Sequence, residues 1–389
     1  MLNQGLDAET FAAFIDTLKR FVRERLVPAE KEAFELDRVP EDILNEMREM
    51  GLFGLAVPEE YGGPGLSIAQ YVEVITELAW AAPAFRSAMA ISSGIITTAL
   101  RLDGTEEQRR EWLPKLVAGT SASFCLTEPD SGSDSAAMKT RAVKDGDSYV
   151  LNGTKRFITN APMAEFFIVM ARTSPENLPK NGHVSGFIVP RNTPGLSVGK
   201  PDKKMGQRGA LTGDVILEDV RVPAANLLGG VEGQGFKTAM KALDGGRLSV
   251  SGASVGYSRR ILDTAIRYAT ERKAFGEPIA NFQLVQAMLA DSKTELYAAE
   301  CMLRDASEAA VRGENIATKA ACVKMFASEA AGRIADRTVQ IFGGSGYMAE
   351  YEAERFFRDV RVYRIYEGTT QIMQLVIAKA MLKEFAASL

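Results

Sequence analysis

Histidine is all but missing from this chain of 389 residues: His183 is the only one. It ends the polar run Asn177-Leu-Pro-Lys-Asn-Gly-His183, a composition that predicts a solvated loop. An acid–base enzyme made from this sequence would therefore use a carboxylate as its base. Cysteine is scarce as well. Cys125, Cys301 and Cys322 lie far apart with no CxxC pair, which argues against a zinc framework or a disulfide scaffold. That usage fits a reducing cytoplasm, and no metal site is expected.

Positive charge is not in excess. The 46 Lys and Arg against 50 Asp and Glu leave a net charge of −4 and a pI near 5.5. No basic run with interleaved aromatics occurs, so a nucleic-acid partner is not expected, because neutralising phosphates needs a basic face. Long apolar runs are missing too. The nearest, Leu78 to Leu100, is broken by Pro83, Arg86 and five Ser or Thr residues and predicts a buried helical segment rather than a membrane span. The start, Met1-Leu-Asn-Gln-Gly-Leu-Asp-Ala-Glu-Thr10, has neither a basic n-region nor an apolar h-region, so no leader is expected. There is no Walker A sequence, no repeat and no low-complexity tract. What remains is an ordinary globular composition, 46% hydrophobic and 25% charged with mean hydropathy −0.07, long enough for two or three domains.

Periodicity divides the chain into an α+β, multidomain pattern. Residues 1–120 read as helices, with Phe11, Phe14, Ile15, Leu18, Phe21, Val22 and Leu26 on one stripe. Pro40 opens a second helix, Glu59–Leu66 is a loop, and Thr105-Glu-Glu-Gln108 is a capping box ahead of Trp112. Over 121–228 short β-rich runs appear, including Ser148–Leu151, Phe166–Met170, Gly186–Val189 and Val215–Leu217, separated by turn residues as in a small sheet or barrel. Over 229–389 long helical patterns return, broken clearly only near Gly343–Gly346 and Glu367–Gly368.

The segment Val362-Tyr-Arg-Ile-Tyr-Glu-Gly-Thr-Thr-Gln-Ile372 is the most informative. It sets one carboxylate, Glu367, in a turn before a helix whose apolar residues are Ile372, Leu375, Ala378, Leu382 and Phe385. Thr369 or Thr370 can cap that helix, and Gly368 permits close backbone approach. Glu367 is thus either a general base on a rigid element or an exposed turn glutamate. Thr127-Glu-Pro-Asp-Ser-Gly-Ser-Asp134 offers hydroxyl and N–H donors to a polar ring or phosphate, or else decorates a surface. Gly344-Ser-Gly346-Tyr-Met-Ala349 matches G-x-G-x-x-A, but a helical pattern precedes it, so a dinucleotide fold is rejected.

Together these landmarks resemble the acyl-CoA dehydrogenase family over nearly the whole chain. They are Phe124–Asp134, Gly153-Thr-Lys-Arg-Phe-Ile-Thr-Asn160, Lys204-Met-Gly-Gln-Arg208, Asp219-Val-Arg-Val-Pro223, Leu243-Asp-Gly-Gly-Arg247, Arg272-Lys-Ala-Phe-Gly276, Phe282–Gln286, Gln340-Ile-Phe-Gly-Gly344 and Tyr366-Glu-Gly-Thr369. The resemblance implies N-terminal helices, a central β-barrel-like domain and a C-terminal four-helix bundle, with FAD between them. It also implies a homotetramer of paired dimers, in which each flavin is partly held by the neighbouring subunit.

By that resemblance Leu126, Thr127, Phe157, Ile158 and Thr159 meet the isoalloxazine. Arg272, Phe275, Gln283, Gln340, Gly343 and Gly344 serve the pyrophosphate and adenosine end, and Thr369 and Gln371 complete the site. Ser133, Asp244, Arg247 and Gly368 meet the acyl-CoA. Glu367 removes the α-proton while hydride leaves for flavin N5, giving a trans-2-enoyl-CoA, with an electron-transferring flavoprotein as acceptor. Phe157 stands where the family commonly has Trp. Some relatives carry the base just before the Arg of the Leu243–Arg247 motif, a position that is Gly246 here.

Arg86 is the sole charged residue between Glu77 and Arg101 and is expected to be buried with an anionic partner. Arg86-Ser-Ala-Met89 also resembles the pocket of glutaryl-CoA dehydrogenase, in which Arg86 and Ser87 would meet a carboxylate on the acyl tail. A desulfinase acting on sulfinopropionyl-CoA is a variant of that reading, and an Arg paired with a protein carboxylate is the other. Two further classes share the resemblance: oxygen-using acyl-CoA oxidases or flavin monooxygenases, and a non-catalytic scaffold.

Overall fold

The structure, a computed structural model, describes residues 4–388. Met1–Asn3, part of the stretch read for a leader, and Leu389 lie outside the described residues. The chain opens with α1 (Ala8–Phe21), capped by Asp7, whose carboxylate accepts the Thr10 N–H at 2.9 Å. A π turn at Val22–Leu26 carries it into α2 (Val27–Leu36), which ends at Asp37 in a left-handed conformation. Then follow α3 (Glu41–Glu49), α4 (Ile68–Leu78), α5 (Pro83–Ala90), α6 (Thr97–Asp103) and α7 (Glu106–Val117). Pro40 caps α3, and the expected capping box forms on α7, where Thr105 and Gln108 satisfy each other's N–H groups. A second π turn, Ile91–Ile96, joins α5 to α6, and the whole of α5 is buried, Arg86 included, as the apolar, small-residue stretch predicts.

The middle of the chain is a curled seven-stranded sheet in the order β1-β4-β2-β3-β7-β6, with β5 on the other side of β4. The strands are β1 (Ala122–Cys125), β2 (Arg141–Asp145), β3 (Ser148–Thr159), β4 (Phe166–Arg172), β5 (Val184–Pro190), β6 (Leu196–Val198) and β7 (Thr212–Pro223). All the β-rich runs singled out above lie within these strands. β4 reads as an unbroken apolar run because both its faces are covered. Phe166, Ile168 and Met170 join one core, and Phe167, Val169 and Ala171 join another. The pairing of β3 with β7 slips between Lys155 and Ile158, where Phe157 takes a positive φ of 58°. Such a bulge re-aims side chains.

The C-terminal region holds α8 (Gly235–Glu271), α9 (Gln283–Val311), α10 (Ala317–Phe342), α11 (Glu352–Val360) and α12 (Thr370–Ser388). A short hairpin, β8 (Lys273–Ala274) with β9 (Glu277–Pro278), breaks the helical run between α8 and α9. The helical periodicity on either side conceals a break this short. Tyr257, Ile261, Ala265 and Ala269 share the buried face of α8 as their spacing predicts.

One hydrophobic core joins the first helices to α8, α9, α10 and α11. Ile15, Phe53 and Phe85 share it with Leu248, Leu296, Ile334 and Tyr363. A buried ionic cluster crosses the same junction, with Glu30 of α2 paired to Arg260 of α8 and to Arg355 of α11, the latter at 3.0 Å. Removing one member of such a cluster leaves a charge stranded in the core. No helix among the described residues is long and apolar enough to cross a membrane.

One expectation is corrected. His183 is buried, not solvated: its Nδ1 accepts the Leu178 N–H at 3.2 Å and its Nε2 faces the Ala136 carbonyl at 3.2 Å. Those roles suit a neutral ring protonated at Nε2. The polar composition describes the neighbouring loop, while the histidine itself leads into β5. The apolar residues of α12 form a helix, yet only Met373 of that helix is buried, and Leu375, Met381, Leu382 and Phe385 are exposed.

Candidate active site

A cavity of about 670 Å³ opens where α4, α5, the bulge of β3, α8 and the turn before α12 converge. Glu367 forms part of its wall. Its backbone has a left-handed φ of 53°, followed by Gly368 at 96°. A non-glycine residue in that region is strained, and the surrounding structure must hold it there. Thr369 supplies part of the hold by capping α12, its Oγ1 accepting the Ile372 N–H at 3.2 Å. Thr369 is therefore the cap, while Thr370 begins the helix and donates to Glu329 at 2.7 Å.

Glu367 is not an exposed turn residue. Its Oε2 is sealed from solvent without a hydrogen-bond partner. Burial pushes its pKa above the ordinary carboxylate value, against the opposing pull of Arg86, Lys324 and Arg247. α8 passes beside it at Gly246, where a β-carbon would intrude on the carboxylate.

Arg86 is buried as expected, but no described residue gives it the carboxylate expected of a protein ion pair. Its Nη1 donates to Ser249 Oγ and its Nη2 to the Tyr366 hydroxyl, each at 3.3 Å, and its Nε has no partner. Ser87 lines the same cavity, and its carbonyl accepts from Asn160 at 2.8 Å. Arg247 lines the cavity with Nε unpaired, its Nη1 held by Asp244 at 2.6 Å. Burial raises the Asp244 pKa, against the pull of Arg247. Asp244 does not itself line the cavity; its contact is with Arg247.

The opposite wall holds Leu126, Thr127, Ser133, Phe157, Ile158 and Thr159. The Thr127–Asp134 loop is tied down at its base and reaches the cavity through Thr127, Gly132 and Ser133, while Pro129, Asp130 and Asp134 are exposed. Lys155, fully buried, donates to the Leu126 carbonyl at 3.1 Å and to Glu128 at 2.8 Å. Glu128 also accepts the Thr140 N–H at 3.0 Å.

The remaining candidates do not meet at this cavity. Arg272, Phe275, Gln283, Gln340, Gly343 and Gly344 are exposed where the β8–β9 hairpin, the start of α9 and the end of α10 come together. Phe275 is 97% exposed at the hairpin tip. Gln371 is exposed on the first turn of α12. Sequence reasoning missed Tyr366, Ser249 and Lys324. Each had a signal: Tyr366 adjoins the base, Ser249 follows Arg247 by two places, and Lys324 stands in the alanine-rich run of α10.

Three buried polar atoms without partners, Arg86 Nε, Arg247 Nε and Glu367 Oε2, belong to side chains of one cavity. Native interiors seldom leave such atoms unpaired, so the cavity is shaped for a polar ligand. Beside it, Phe157 presents an exposed aromatic ring and the bulged strand presents its backbone, which fits a flat heteroaromatic group.

Known proteins match this arrangement. Family models for the N-terminal, middle and C-terminal domains of acyl-CoA dehydrogenase match residues 8–120, 123–220 and 233–382. A Bacillus subtilis protein named probable acyl-CoA dehydrogenase YngJ is 42% identical over 369 residues, covering 95% of this chain and 97% of the relative. The caffeyl-CoA reductase-Etf complex subunit CarC of Acetobacterium woodii is 41% identical over 354 residues, covering 91% and 93%. Among solved structures, a glutaryl-CoA dehydrogenase from Mycobacterium smegmatis in complex with FADH2 superposes with a TM-score of 0.89 at 31% identity, covering 97% of this chain and 95% of that one.

Proposed function

The chain belongs to the acyl-CoA dehydrogenase family, and from that premise we propose that it introduces a trans double bond between the α- and β-carbons of an acyl-CoA thioester, with Glu367 as the base. The observation that carries this reading is the sealed, unpartnered Oε2 of Glu367 in the wall of the cavity. A carboxylate whose pKa burial has raised is a better proton acceptor once ionised, and Arg86, Lys324 and Arg247 favour the ionised form. Arg247, held by Asp244, would orient the thioester side, and Ser133 and Gly368 would contact the acyl-CoA. The Glu367 backbone N–H would donate to the thioester oxygen as enolate charge develops, a contribution of roughly 3 kcal/mol.

FAD would supply the hydride acceptor for the β-hydrogen. Leu126, Thr127, Phe157, Ile158 and Thr159 would hold its ring, with Thr369 and Gln371 completing the site. The exposed set Arg272, Phe275, Gln283, Gln340, Gly343 and Gly344 would reach the nucleotide end held in a neighbouring subunit. The bare apolar face of α12 supports assembly, and a homotetramer is the state we propose. An electron-transferring flavoprotein is the proposed acceptor, and a reducing cytoplasm the proposed compartment. The same residues serve reduction of an enoyl-CoA equally well, because a base that takes the α-proton returns it in reverse.

Arg86 favours a second, narrower reading: the acyl tail carries an anion or strong acceptor, as in glutaryl-CoA dehydrogenation or sulfinopropionyl-CoA desulfination. The buried guanidinium is hydrogen-bonded only to hydroxyls and touches no carboxylate of a described residue, so an anion on the substrate could take its free Nε. An anaerobic titration of the yellow protein with butyryl-, octanoyl- and glutaryl-CoA tests both readings. Bleaching of the flavin by any of them supports desaturation, and a strong preference for glutaryl-CoA supports the narrower one. Peroxide formed in air would instead indicate an oxidase, and a colourless protein that takes up no FAD would indicate a scaffold.

A further inference from the structure

α10 carries a lysine that the reading above leaves unused. Lys324 is fully buried, and its Nζ donates to the Gly368 carbonyl at 2.5 Å. Among the described residues it forms no ion pair with a carboxylate. Ala320, Ala321, Val323 and Ala327 are buried around it. A methionine would fill such a place without the cost of burying an ammonium, so the charge itself calls for a reason.

The reason lies in what Gly368 joins. Glu367 and Gly368 are consecutive left-handed residues, a conformation that must be held from outside. We infer that Lys324 is a positioning residue for the base: its ammonium pins the Gly368 carbonyl, fixing the turn that carries Glu367, and its charge keeps that carboxylate anionic inside a sealed site. This rests on Glu367 being the base.

The charges around the pair are few. α8 contributes Arg247 with its partner Asp244, α5 contributes Arg86, and α4 contributes the Tyr71 hydroxyl. Tyr366 lies in the same turn, and Glu329 faces Lys324 from α10 itself. Of the three cations acting on Glu367, two are arginines that stay charged at any working pH. Burial brings the lysine down to about 8, so it is the one whose charge can be lost under mild conditions.

Lys324→Met removes both the pin and the charge, and Lys324→Gln keeps a donor for the Gly368 carbonyl without the charge. Both are prepared as flavin-loaded holoenzyme and compared with the parent and with Glu367→Gln. Two quantities are followed against pH. One is kcat/KM for the acyl-CoA that bleaches the parent best. The other, taken without substrate, is the infrared band of the protonated Glu367 carboxyl, identified by its loss in Glu367→Gln. The inference expects the acid limb of the rate and the disappearance of the band to move up together by about one pH unit in both variants. It also expects Lys324→Gln to retain more of the plateau rate than Lys324→Met. A variant that is slower but keeps both transitions at the parental pH overturns the inference, because lost packing alone does not move them. If Lys324→Met does not fold, Lys324→Gln decides. If Glu367→Gln turns over normally, the reading of the base fails first, and this inference with it.

Discussion

Gly246 of α8 and Glu367 of the turn before α12 compete for one volume: a β-carbon on the glycine would intrude on the carboxylate. Replacing Gly246 by Ala should therefore push the carboxylate aside. A displacement on the order of 1 Å from a reactive geometry costs roughly 100-fold in rate. Alanine in a helix interior is otherwise favourable by about 1 kcal/mol, so thermal stability should fall little while kcat collapses. The exchanged pair Gly246→Glu with Glu367→Gly delivers a carboxylate to the same volume from the other element. It should recover part of the activity that Glu367→Gly alone loses, measured as the rate of flavin bleaching.

Glu367→Gln removes proton acceptance while preserving size, and its bleaching rate should drop by about 100- to 10,000-fold. The parent's kcat/KM should rise with pH through the raised pKa of Glu367, because the anion is the active form. The effect on stability has the opposite sense. A carboxyl whose folded-state pKa is raised contributes stability at low pH, and that contribution disappears as pH rises through the folded value. At neutral pH Glu367→Gln should thus be at least as stable as the parent in urea unfolding.

Arg86 separates two roles by substrate. If it binds an anionic tail, Arg86→Met should cut kcat/KM for glutaryl-CoA by roughly 10- to 150-fold, the worth of a charged hydrogen bond of about 1.5–3 kcal/mol, and leave butyryl-CoA nearly unchanged. An equal loss for both would show that the guanidinium serves Glu367 electrostatically. No loss for either would remove Arg86 from the site.

The buried pair of Lys155 and Glu128 holds the base of the Thr127–Asp134 loop. Lys155→Met leaves Glu128 uncompensated and should destabilise the protein by about 3–5 kcal/mol in urea unfolding. Because the Leu126 carbonyl is also released, FAD should leave the variant faster at a temperature where both proteins remain folded. Glu128→Gln, which keeps an acceptor for the Thr140 N–H, should be milder on both counts.

The order of helices, strands and helices was legible because hydrophobic period changes from three or four residues to two and back along the chain. β4 was legible by its unbroken apolar run, and the burial of Arg86 by the lack of charge on either side of it. Gly368 and Thr369 marked the turn of Glu367 by residue type alone. Other features depend on contacts between distant segments. Composition around His183 describes a loop, and nothing local says that Ala136, from a distant segment, will meet the ring. The stripe on α12 announces a helix but not that the face is left bare within one chain. Lys324 looks like an ordinary helical lysine until α10 is seen to bring it under Gly368, and the hydroxyl partners of Arg86 come from positions far along the chain.

The core in which Ile15 and Phe85 lie with Leu248 and Ile334 has a bearing on how the protein is made. The first helices leave the ribosome with their apolar faces uncovered, and the segments that shield them are translated only after the whole sheet has been synthesised. Until α8 and α10 arrive, those core residues lack their native cover, and a truncated message should yield insoluble product rather than a smaller folded unit.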